Sequence, residues 1–139
     1  MRVMISYRMT AELEAGAPAD AGMLQGLFRL TEQMNRAGVL LAGEGVRPSS
    51  DGARVSVSSD GRTVTSGPFG EPGELIAGFV LAQVRSLDEA TEWAVRMAEV
   101  LDTEVEVRPL FELSDFGADV LPDSERERVQ AVLDTLRGT

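Results

Sequence analysis

Cysteine, histidine and lysine are all missing from the 139 residues. Without cysteine there can be no disulfide, no thiolate nucleophile and no cysteine-ligated metal. Without histidine the chain lacks the usual general base at neutral pH and the commonest zinc ligand. Without lysine it cannot form a Schiff base, so covalent pyridoxal phosphate chemistry is excluded. All 13 basic residues are therefore arginine. Any acid–base work falls to Asp, Glu or the single tyrosine, Tyr7, with arginine as an electrostatic partner. Basic charge is also scarce relative to acidic charge, and the net is −10. Such a chain repels phosphate backbones, and the arginines are scattered from Arg2 to Arg137 without a patch, so nucleic acid is not an expected partner. No apolar run is long enough to cross a bilayer; the longest lies near Leu75–Ala82. The start, Met1 to Ser6, lacks the apolar core and small-residue cleavage site of a signal peptide. We expect a cytoplasmic protein with no metal and no cofactor.

What is present reads as alternating strands and helices. Val3–Tyr7 is β-prone. After a loose stretch from Thr10 to Ala19, Asp20 caps a helix to about Ala37, with Leu24, Leu27, Phe28, Met34 and Ala37 as its apolar positions and Gly38 after its end. Val39–Val46 reads as a second strand. The turn cluster Pro48–Gly52 follows, and then two short polar strands around Asp60-Gly61 form a solvated hairpin. Leu75–Ala82 is apolar at nearly every position. A half-exposed strand alternates, so this one is expected to be buried on both faces. Helices can cover one face of so small a sheet, and a second subunit is the simple cover for the other.

Ser86-Leu87-Asp88-Glu89 is a capping box that opens a helix to about Leu101, with Leu87, Ala90, Ala94, Met97, Ala98 and Leu101 as its stripe. Glu104–Phe111 alternates as a last strand, placing Val105 and Val107 on one face and Glu106 and Arg108 on the other. Asp115–Pro122 reads as a connection. A second capping-box pattern from Ser124 then starts a short amphipathic helix that carries Val129, Val132, Leu133 and Leu136 and ends at Gly138. The fold class is thus α+β: a ferredoxin-like βαββαβ domain over residues 1–112 with an inserted hairpin, and a C-terminal extension over residues 113–139.

Several stretches resemble one known family in the right order. Thr65-Ser66-Gly67-Pro68-Phe69-Gly70-Glu71 is similar to the signature loop of the YCII-related family, whose name motif is Asp-Gly-Pro-Phe. Ala37–Gly45, Glu74–Phe79, Asp88–Trp93, Glu106–Glu112 and Asp115–Gly117 resemble its second strand, third strand, second helix, last strand and tail. The resemblance implies a ferredoxin-like domain that dimerises sheet to sheet, as in the dimeric α/β-barrel superfamily, which includes small lyases, isomerases and cofactor-free oxygenases. Some members are encoded beside alternative sigma factors, which implies a protein partner in transcription control. This chain departs from the pattern: Ser66 replaces the signature Asp, and Gly73 stands where a Lys is common. A His–Asp pair proposed in one branch would fall near Leu27 and Arg36, so it is absent.

Candidate site residues carry two readings each. Glu44, between two glycines, is a candidate base or a solvated turn residue. Arg108 is a candidate oxyanion clamp or half of an ion pair, and Glu106 shares its face. Glu74 is a candidate pocket acid or a surface charge. Ser66 and Phe69 either close a pocket mouth or serve the loop's conformation. Tyr7 is a hydrogen-bond donor in a pocket or a strand aromatic with one wet end. The leading expectation is a homodimeric module that binds a small molecule or regulates a partner. The rival is a cofactor-independent lyase or isomerase in which Glu44 moves a proton and Arg108 steadies the developing charge.

Overall fold

The computed structural model describes residues 1–138 and divides into two compact units, Met1–Pro109 and the segment from Leu110 onward. The first unit holds β1 (Arg2–Arg8), α1 (Ala11–Glu14), α2 (Ala21–Arg36), β2 (Leu40–Gly45), β3 (Ala53–Ser58), β4 (Gly61–Ser66), β5 (Ile76–Gln83), α3 (Leu87–Leu101) and β6 (Val105–Pro109). Four strands form one antiparallel sheet in the order β2-β5-β1-β6, and β3 and β4 pair only with each other. That order interleaves two strand–helix–strand halves, so the unit is the expected ferredoxin-like α+β fold with an inserted hairpin.

Pleating divides the sheet into two faces. On one, Val3, Ile5 and Tyr7 of β1 stand opposite Ala82, Val80 and Gly78 of β5, and opposite Pro109, Val107 and Val105 of β6. Val3, Ile5, Val80 and Ala82, with Tyr7, Val105 and Val107 beside them, pack with Leu30 and Met34 of α2 and Ala90, Ala94, Met97 and Leu101 of α3 to make the core. On the other face lie Met4, Ser6, Phe79, Leu81, Glu106 and Arg108. Interior strand β5 is therefore apolar toward both faces; it was expected to be buried on both, and within the chain Phe79 and Leu81 on the second face are only half-buried.

Helix α2 begins where Asp20 Oδ2 accepts the Met23 amide at 2.9 Å, and it ends before Gly38, whose φ of +76° suits glycine. Its buried stripe differs from the expected one. Met23, Leu27, Leu30 and Met34 face inward, whereas Leu24 is exposed and Phe28 is 61% exposed. The helix must pack α3 as well as the sheet, and a Cβ at Gly26 would lie 2.9 Å from a Val100 methyl, so the inward stripe is turned away from the Leu24–Phe28 line. In α3, Ser86 Oγ accepts the Glu89 amide at 3.1 Å as expected. Glu89 does not return the bond to Ser86; its carboxylate accepts the Arg85 amide at 2.8 Å. That amide, and then the Arg85 guanidinium, hold the Glu89 carboxyl below the usual carboxylate range. Leu87, expected in the stripe, is exposed. The stretch expected to be loose contains α1, capped by Thr10 Oγ1 on the Leu13 amide.

In the second unit a single 3-10 turn, Leu113–Asp115, precedes α4 (Asp123–Arg137). The last strand stops at Pro109, short of the expected Phe111, because proline offers no amide for a longer ladder. The expected cap at Ser124 is also unused: Pro122 occupies the N-cap and Ser124 lies in the first turn. What orders this unit is Arg126. Its guanidinium donates to the carbonyls of Leu113 at 2.5 Å, Phe116 at 2.7 Å and Leu121 at 3.2 Å. The Phe111 and Phe116 rings stack with centroids 5.2 Å apart. Arg126→Met should therefore raise amide exchange across residues 110–122 by at least tenfold, since about 1.4 kcal/mol of lost local stability corresponds to that factor. Exchange in β1 and β5 should stay unchanged, and hydrogen-exchange mass spectrometry reads both regions together.

Candidate functional site

Two cavities open in the first unit. The larger, about 490 Å³, lies at the base of the β3–β4 hairpin, between Met9, Val46, Pro48, Phe69, Leu75 and Ile76. Its polar groups are already engaged. The Glu14 carboxylate accepts the Ser49 amide at 2.6 Å and the Ser49 hydroxyl at 3.0 Å, and Ser49 Oγ accepts the Phe69 amide at 2.9 Å. Arg47 and Asp51 pair at 3.2 Å.

This network explains the signature loop. A Cβ at Gly67 would overlap the Ser49 carbonyl oxygen, so only glycine lets the loop pass there. Phe69 turns into the wall of the cleft, beneath the Arg54 guanidinium at 4.4 Å from the ring centre. Ser66 is the exposed last residue of β4 and Glu74 the exposed last residue of a 3-10 turn, and neither lines a cavity.

The smaller cavity, about 330 Å³, lies between α2 and the β2 side of the sheet. Leu27, Phe28, Leu40 and Val80 give it apolar walls, Phe79 borders it, and Tyr7 enters from β1. Gly78 makes room for the phenol: a Cβ there would overlap the Tyr7 hydroxyl. Thr31 also lines the space, but its hydroxyl donates to the Phe28 carbonyl at 2.9 Å. The Tyr7 hydroxyl has no hydrogen-bond partner among the described residues. Burial pushes the Tyr7 phenol pKa up, so at neutral pH the group is a proton-bearing donor and not a base.

The structure separates the remaining candidates. Glu44 stands opposite Phe79 in the row that continues through Ser6 to Glu106, on the face away from the helices, and it meets the smaller cavity at its rim. Arg108 shares that face but sits on the opposite edge strand. Three strand spacings lie between them, roughly 14 Å. Arg108 pairs with Glu106 at 3.2 Å, and Glu106 also binds Arg8 at 2.5 Å. Leu27 is an apolar wall residue of the smaller cavity, and Arg36 pairs with Glu32 on the surface at 2.6 Å. Sequence reasoning missed Leu27, Phe28, Ser49, Glu14 and Gly78 as parts of these sites. Only Gly78, a glycine inside an apolar strand, carried a signal that something packs closely there.

A family model of the YCII-related domain matches residues 1–114. No curated protein matches the chain.

Because Tyr7 is the only tyrosine, tyrosinate absorbance reports it alone. Its titration midpoint should lie above the ordinary value of about 10. The sign for stability follows: the folded state keeps the proton longer, so the contribution is complete below the unfolded pKa and is lost as pH rises through the folded one. Gly78→Ala should displace the phenol and return the midpoint toward that of free tyrosine. A wild-type midpoint equal to free tyrosine would place the hydroxyl in bulk water.

Proposed function

The chain belongs to the YCII-related family, and from that premise we propose that it binds a small, largely apolar molecule in the cavity between α2 and the sheet. One observation carries this reading: an apolar space of about 330 Å³ is lined by the Tyr7 hydroxyl, a side-chain donor with no partner among the described residues, while its one carboxylate, Glu44, is exposed. The volume sits near the lower end of small-molecule sites, roughly 300–1,000 Å³. A neutral phenol in apolar walls selects a ligand with one acceptor, such as a carbonyl or ether oxygen, on a hydrocarbon body. Leu27 adds to the apolar wall that such a ligand would contact. The distance between Glu44 and Arg108 within one chain supports binding over turnover.

The same reading includes self-association through the sheet face that turns away from the helices. Met4, Phe79 and Leu81 project there, and an apolar second face needs a covering layer. A second copy supplies one, and the Arg8–Glu106–Arg108 network gives that face a polar margin.

A fragment library observed by protein NMR should perturb the methyls of Leu27, Leu40 and Val80 first. Tyr7→Phe should weaken the best acceptor-bearing fragment by about fivefold, the equivalent of one ordinary hydrogen bond. Perturbations confined to other surfaces would defeat the binding reading. For self-association, sedimentation should give a dimer mass, and Leu81→Arg should shift it to the monomer. An unchanged mass in that variant would remove the sheet face as the contact.

A further inference from the structure

All residues of the β3–β4 ribbon, 53 through 66, are exposed. The ladder pairs Val55 with Val64 and Val57 with Arg62, so these four side chains share one face. On that face Val55 is 64%, Val57 77% and Val64 64% exposed. A two-stranded ribbon is marginal by itself in water, and three clustered β-branched side chains left in solvent add an apolar patch that a free-standing ribbon does not need. The opposite face carries Ser56 and Thr63, as a solvated surface would. The ribbon is thus two-sided, and its valine side lacks a layer.

Charge indicates what covers it. The valine face bears one ionised group, Arg62, which has no ion-pair partner among the described residues. The ribbon as a whole holds Arg54 and Arg62 against one acid, Asp60, whereas the chain carries −10. A locally cationic, apolar arm on a strongly anionic chain complements the body of another copy, and like-charged bodies otherwise repel. We infer that the valine face of the ribbon is an arm that seats on a second copy of this chain, with Arg62 meeting an acidic rim there. In a two-fold pair each copy gives one arm and receives one, so the contact closes. This rests on the self-association proposed above and adds to it a contact distinct from the sheet face.

The test compares the wild-type chain, the triple variant Val55→Thr, Val57→Thr, Val64→Thr, and Leu81→Arg. Threonine keeps the branched shape and strand preference, so the ribbon itself is retained. Sedimentation equilibrium gives the association constant, and amide exchange across residues 53–66 is followed over a range of protein concentration. The expected result is a triple variant that associates about tenfold or more weakly, the loss of roughly 1.4 kcal/mol of contact. Ribbon protection in the wild type should rise with concentration. Arg62→Glu should weaken association further, by an amount that shrinks with added salt. A triple variant that associates like wild type while Leu81→Arg dissociates would overturn the arm and leave the sheet-face contact standing. The reverse pattern would keep the arm and remove the sheet face. Ribbon protection that is independent of concentration would mean cover from within the same chain, and a wild type that stays monomeric with an unprotected ribbon would assign the face to a different protein; either result overturns the inference.

Discussion

The antiparallel pairing of β1 with β5 is the contact from which the rest of the first unit follows. It joins residues 2–8 to residues 76–83 at the centre of the sheet and leaves each strand one free edge, taken by β6 and β2. Its register sets Val3 against Ala82, Ile5 against Val80 and Tyr7 against Gly78. The period of two in a strand means that a slip of one residue would turn Val3 and Ile5 out of the core and carry Tyr7 to the other face. Core and cavity therefore depend on the same alignment. The one residue that can lie beneath the phenol without collision is the glycine that this register puts there.

The signature loop works in this chain as architecture. Gly67 passes against the Ser49 carbonyl, Ser49 is held by Glu14 from the short α1, and Phe69 closes the wall of the larger cleft. Three segments far apart in sequence are tied by one serine with a full set of partners. Its hydroxyl is engaged by the Glu14 carboxylate and the Phe69 backbone. The inner cavity has the opposite character, with hydrocarbon walls and one free donor, and a raised phenol pKa keeps that donor protonated.

An all-arginine chain also has structural consequences. A planar guanidinium presents several donors in a fixed fork, and the molecule uses that property repeatedly. Arg126 gathers the carbonyls of Leu113, Phe116 and Leu121, Arg8 and Arg108 share the Glu106 carboxylate, and Arg54 lies over Phe69. A lysine ammonium, a point charge on a flexible stem, could not replace the first or third of these without loss.

Local chemistry was legible in the sequence because it is written in neighbouring residues. The helix start at Asp20, the glycine after α2, the Asp60-Gly61 hairpin and the doubly apolar β5 were each readable within a few positions, and together they fixed the strand and helix order that defines the fold. Errors appeared where a distant element had the deciding vote. Leu24 and Phe28 fit a helical period as well as Met23 and Leu30 do, but the packing of Gly26 on Val100 chose which stripe turned inward. Ser124 makes as good a capping pattern as Ser86, yet Pro122 begins α4. The cavity was beyond sequence reach altogether. Tyr7, Leu27, Leu40 and Gly78 become neighbours only when α2 lies across a sheet of fixed register, so composition and periodicity determined the elements of this protein, and tertiary packing, which alone joins residues distant in the chain, decided which of them form a site.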